Sequence, residues 1–373
     1  APRAAFTWTA SRKTTVRGGY GIFYDWYDAN LYEQTLRVDG QRQYDIIVED
    51  PGFPVISGGG TRLPSSVIRA ASLDQPVIQQ ASLGLERPLT TWAGLRMDYM
   101  WTRGSNTLRS VNVNAPADGV RPDPASGNIT EIQSTGRRAS DRLTVGVNAR
   151  HERLRIFSNV MYQLQSTRNY ADSATSLPSD STNPDADWGP SAQDIRHRLF
   201  LMFNAPIWKG IRAGFNMQVA SAAPYNITTG RDDNLDTVFN DRPPGTERNS
   251  ARGANAVNAT LRVNKAFGFG GPTRGPGGGM PMPPPPGAGG GAAAGGAMSQ
   301  RGPGGPGGGD GPQMFIMEGA NSRYRLDFYA QVTNLFNYVN YNTFIGNQLS
   351  PFFASATSAA PARRMELGFS LGF

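Results

Sequence analysis

Cysteine is absent from the 373 residues, which excludes a disulfide scaffold, a thiol nucleophile and any cysteine-ligated metal. Histidine is almost as scarce. His151 and His197 stand alone and far apart, too little imidazole for a histidine-rich metal centre or a histidine-based triad. Long apolar runs are missing too: the longest is the five residues Leu199 to Phe203, and mean hydropathy is −0.42. A membrane-spanning helix needs ~20 apolar residues, so none is expected. No nucleophile elbow or paired catalytic carboxylate is found. The stretch GPGGGMP neither follows a strand nor carries the GK[ST] ending of a phosphate loop. No enzyme activity is expected. The chain opens on Ala1 without the basic and apolar regions of a signal peptide, so a mature product or a fragment is expected. Lys and Arg give a net charge of +7 but are scattered singly, which argues against a nucleic-acid partner.

What the chain does have is period-two alternation, the pattern of strands with one apolar face. In Ile211 to Val219, the residues Ile211, Ala213, Phe215, Met217 and Val219 share one face and Arg212, Gly214, Asn216 and Gln218 the other. Leu143, Val145, Val147 and Ala149 alternate in the same way with Thr144, Gly146 and Asn148. The polar faces are rich in Gly, Asn, Gln and Arg and poor in Lys and Glu. That composition suits a wet barrel lumen better than the outside of a soluble sandwich. An averaged hydropathy misses such strands, because only alternate residues meet lipid.

Connection lengths alternate as well. Tight turns fall at Ser11 to Lys13, Arg87 to Thr91, Arg150 to Arg153 and Ile207 to Gly210. Long polar loops fall between them, at 27–76, 104–140, 167–194, 225–254 and 340–362. Short periplasmic turns and long extracellular loops are the asymmetry of outer-membrane barrels. Eleven spanning strands are expected, roughly 2–10, 14–26, 77–87, 92–103, 140–150, 153–166, 195–206, 211–224, 255–267, 322–338 and 362–373, all antiparallel. Single-chain bacterial barrels have even strand numbers, so at least one strand is expected before Ala1; eleven is half of 22.

The last residues place Met365, Leu367, Phe369, Leu371 and the terminal Phe373 on one face. Such an ending resembles the signal that barrel-assembly machinery reads in outer-membrane proteins. Four further stretches carry a family likeness: TTVRGGYGIFYD at Thr14 to Asp25, QQASLGLERPL at Gln79 to Leu89, PYNITTGRDDN with DRPPGTERNSARG at Pro224 to Gly253, and QVTNLFNYVNY at Gln331 to Tyr341. Together they resemble the TonB-dependent outer-membrane transporters with Oar-like barrels. The resemblance implies an all-β fold, the C-terminal part of a 22-stranded transmembrane barrel in the outer membrane. It also implies a plug domain and a short box engaging the TonB complex, neither of which lies in these residues. Uptake of a bulky small molecule, glycan or peptide is the implied function. The alternatives are a passive porin-like or adhesion barrel, and a secreted soluble β-protein that binds glycans.

Two other features stand out. Residues Gly268 to Gly319 form a Gly/Pro tract with too few apolar residues to pack, expected to be a disordered insertion on the periplasmic side. In the loop RDDNLDTVFND, Asp232, Asn234 and Asp236 sit at alternate positions, like the oxygen ligands that open a calcium loop. Its glycine at the sixth position and glutamate at the twelfth are missing. Calcium is therefore an option beside a solvated acidic loop, whose carboxylates Arg242, Arg248 and Arg252 would neutralise within the loop. No other cofactor is expected.

Overall fold

The computed structural model describes residues 2–11, 13–46, 63–117, 119–272 and 322–372. Eleven strands follow one another around a single sheet in chain order: β1 Arg3–Ser11, β2 Thr14–Tyr24, β3 Val77–Pro88, β4 Ala93–Asn112, β5 Ile129–His151, β6 Ile156–Asn169, β7 His197–Trp208, β8 Ile211–Ala220, β9 Ala256–Pro272, β10 Ser322–Thr333 and β11 Arg364–Gly372. Each pairs antiparallel with its chain neighbours. These are the eleven strands expected from alternation.

Register shows why alternation suffices. Residues directly opposite across an antiparallel pair lie on the same face. The row Trp8, Val16, Leu85, Met97, Val145, Tyr162, Leu199, Val219 and Val257 crosses nine strands without a charge. One residue along, the row reads Thr7, Arg17, Gly84, Asp98, Thr144, Gln163 and Arg198. The first row faces lipid and the second a polar interior. On the outward face of β11, Leu367 is 77% exposed and Phe369 72% exposed, which a water-soluble protein would not tolerate over so wide a band. In hydrocarbon every backbone N–H and C=O must be paired, and the ladders do this for the nine inner strands. The outer edges of β1 and β11 have no partner among the described residues. The sheet is an open arc, a part of a barrel.

Tight turns follow near the expected places, but the β5–β6 turn sits at 152–155 and not at Arg150 to Arg153, because Arg150 and His151 still pair with Phe157 and Ile156. At the β7–β8 turn, Lys209 (φ 38°) and Gly210 (φ 78°) both take left-handed backbone, the conformation of a two-residue hairpin whose twist matches its strands. The long connections differ in three ways from the sequence reading. First, β4 and β5 overshoot the membrane band: the expected loop 104–140 is strand out to Asn112 and again from Ile129. Irregular register near Ser105, Thr107 and Arg109 interrupts the alternation that sequence reading depends on. Second, a helix, α1 Ala29–Arg37, lies in the first long loop, with Asp28 capping it by accepting the Asn30 N–H at 2.9 Å. Third, not every pair is antiparallel, since Pro64–Arg69 adds to the overshooting part of β5 in parallel. The expected disordered tract also begins too early. Gly268 and Phe269 pair with Arg325 and Tyr324 inside the β9–β10 ladder, and 273–319 lie outside the described residues.

Candidate functional site

The inner wall is polar and cross-linked by charge. Glu86 on β3 bridges Arg17 on β2 at 3.2 Å and Arg96 on β4 at 3.7 Å, and Arg96 continues to Asp98 at 2.5 Å. Farther round, the Arg262 guanidinium lies 4.1 Å from the Tyr329 ring centroid, and Arg325 pairs with Asp327 at 2.6 Å. A wall of this composition suits a water-filled space.

Above the wall, on the side of the long loops, a second structure is built from ion pairs. Three arginines of the segment 242–252 reach three aspartates of the segment 172–194. Arg242 meets Asp187 at 2.7 Å, Arg248 meets Asp172 at 2.7 Å, and Arg252 meets Asp194 at 2.6 Å. Asp187, Asp194 and Arg248 are buried. The spare bonding capacity is used: Asp187 also accepts the Ser179 hydroxyl at 2.9 Å, and Arg248 donates to the Asp187 carbonyl at 3.0 Å. The carboxyl of Asp172 is pushed up by burial, but Arg248 and hydrogen bonds from Ser191, Asn169 and Ala192 outweigh this and hold it below the usual range. The arginines therefore do not neutralise their own loop, as the sequence suggested. They clip it to its neighbour, because the two loops pack so closely that a side chain at Gly189 would meet the Arg248 carbonyl at 2.6 Å.

The overshooting ends of β4 and β5 anchor this cap. Arg109 on β4 donates to Asp185 at 2.9 Å. Asn128, just before β5, accepts from Asn112 at 3.0 Å, Arg121 at 3.1 Å and Thr237 at 2.7 Å. Sequence reasoning missed this network, since its members are single Asn, Ser and Arg residues in separate loops.

Asp232, Asn234 and Asp236 do come together in one loop, but around its own backbone. Asp232 accepts the N–H groups of Asp236 and Thr237 at 2.9 and 2.8 Å, and Asn234 accepts that of Asp236 at 3.0 Å. Among the described residues no three acidic or imidazole side chains are arranged to hold a metal ion. Asp236 is 2% exposed; its Oδ1 accepts the Val238 N–H at 2.9 Å and its Oδ2 has no partner. Burial pushes its carboxyl up to about 6, with the charges of Asp232 and Asp241 adding to the effect against the Val238 hydrogen bond. A folded-state value above the unfolded one favours the folded loop at low pH and loses that benefit as pH rises through about 6. The shift corresponds to roughly 2–3 kcal/mol. Protection of 231–241 against hydrogen exchange, taken relative to the unfolded-chain rate at the same pH, should therefore be greater at pH 5 than at pH 7.5. Asp236→Asn should remove the difference by keeping the greater protection at both; a difference in protection that survives it would refute the assignment.

Of the C-terminal set, Met365, Leu367, Phe369 and Leu371 share the outward face of β11, while Phe373 lies outside the described residues. His197 pairs with the Tyr162 hydroxyl at 2.7 Å, and His151 receives the Leu154 N–H at 3.2 Å at the β5–β6 turn, both at strand ends.

A protein-family model described as "Outer membrane beta barrel domain" matches residues 1–366. The chain belongs to that family. A search of curated proteins finds no match. Among solved structures, this barrel domain is similar to the outer membrane transporter YddB from Escherichia coli, at 10% identity and a TM-score of 0.56, covering 96% of this chain and 38% of that one. It is similar also to the FrpB iron transporter from Neisseria meningitidis (F3-3 variant), at 10% identity and a TM-score of 0.51, covering 99% of this chain and 38% of that one. At such identity the likeness is one of fold: an arc of antiparallel strands from a larger barrel. The barrel domain resides in the outer membrane. It spans well under half the length of both transporters.

Proposed function

We propose that this chain is the C-terminal part of the barrel of a TonB-dependent outer-membrane transporter that imports a bulky nutrient. The observation that carries the proposal is the open eleven-strand arc with a charged inner wall, superposable over 96% of its length on part of a larger transporter barrel. Both strand edges then pair with strands outside these residues, in a barrel of about 22 strands whose lumen holds a plug. The ion-paired cap over the lumen supplies a preformed outer face for a ligand, here a metal chelate, glycan or peptide too large for diffusion porins. The exposed row Met365, Leu367, Phe369 and Leu371 serves as the strand that the barrel-assembly machinery reads. A disruption of the gene and a disruption of TonB should produce the same growth defect on such a nutrient. A defect that TonB loss does not reproduce would instead mark a passive barrel.

A further inference from the structure

Lysine is rare here: only Lys13, Lys209 and Lys265 occur, against 33 arginines. The fold brings all three toward one end. Lys13 and Lys209 sit in tight turns, on the side that is periplasmic in outer-membrane barrels. Lys265 lies on β9, opposite Ile211, the first residue after the Lys209–Gly210 turn. Its register places it on the lipid face, in the row Ile211, Lys265, Phe328 and Phe369. Below it on β9 come Phe267 and Phe269, both about half exposed, so Lys265 stands within the apolar band and not beyond it.

An ionisable side chain on a lipid-facing surface is costly unless it is paired, and its presence there points to a partner. Two other charged or polar groups on the outward rows have one: Arg103 meets Asp141 at 3.0 Å and His197 meets Tyr162 at 2.7 Å. No carboxylate pairs with Lys265 among the described residues; its Nζ rests 4.9 Å from the Phe267 ring centroid. Beside it an open groove of about 460 Å³ runs across β8 to β11, its walls Val263, Phe328, Leu367 and Phe369 and its floor the small Ala330. A cation at the mouth of an apolar groove, with a second lysine at the adjoining turn, matches one kind of occupant in the periplasmic leaflet: an anionic phosphate head joined to an acyl chain.

We propose that Lys265 and the groove floored by Ala330 form a binding site for one anionic glycerophospholipid of the periplasmic leaflet, its phosphate on Lys265 and an acyl chain along Phe328 and Phe369. The site is separate from the lumen and does not depend on what the barrel transports.

The test is native mass spectrometry of the protein extracted from outer membranes in mild detergent, titrated with dioleoyl phosphatidylglycerol and with dioleoyl phosphatidylcholine. One saturable phosphatidylglycerol adduct is expected, held more tightly than phosphatidylcholine. Lys265→Gln should weaken it about fivefold, the worth of one lysine at an anionic surface. Ala330→Phe should abolish it without changing charge. Equal affinity for the two lipids in the unaltered protein would overturn the proposal, whatever the variants do. So would a phosphatidylglycerol adduct unaffected by Lys265→Gln in protein that keeps its heat-modifiable gel mobility.

Discussion

Asp187→Ala is expected to release the extracellular cap while leaving the strands intact. The Asp187 carboxylate is buried against Arg242, itself buried, and removing one member of such a pair leaves an unneutralised charge in a low-dielectric site. The expected cost is about 3–5 kcal/mol of local stability, far more than a surface pair contributes. Because Arg242 and Asp187 join the segments 242–252 and 172–194, both should lose protection together in hydrogen exchange, while β6 to β9 stay protected. Glu247→Ala provides the contrast. Its pair with Arg168 at 3.3 Å is well exposed, so that change should stay below about 1 kcal/mol. If Asp187→Ala and Glu247→Ala behave alike, the cap is not held by its buried charges. Under the proposed function, a preordered outer face would lose less free energy to loop ordering on ligand binding.

The strands were legible because their physics is local. Apolar residues at 211, 213, 215, 217 and 219 define one face whatever the rest of the chain does, and turns such as Lys209–Gly210 need only two residues. The cap was not legible, because its physics is not local. Arg242, Arg248 and Arg252 follow Asp232 and Asp236 by six to twenty residues, so sequence proximity suggested pairing inside the loop. The fold instead brings Asp172, Asp187 and Asp194 closer, through the β6–β7 connection that packs alongside. Asp232 was already occupied by its own backbone N–H groups, which an alternating Asp-Asn-Asp spacing cannot reveal. The overshoot of β4 and β5 was hidden for a related reason. Ser110 and Asn112 are buried and polar there, satisfied by partners in other loops and not by lipid on one face. Lys265 was visible as a residue but not as an exception, since only the register across β8 to β11 sets it on the lipid side.

Among the described residues β1 and β11 each present one unpaired edge, and each unpaired backbone group costs several kcal/mol in hydrocarbon, so this chain should not close into a barrel by itself. The decisive measurement is refolding of this chain alone in detergent, followed by gel mobility with and without heating, protease digestion and determination of mass in solution. Aggregated or protease-sensitive material, or an assembly of more than one copy, is expected. A compact, protease-resistant monomer with heat-modifiable mobility would show that β11 pairs with β1, and would contradict the larger barrel from which the proposed function follows.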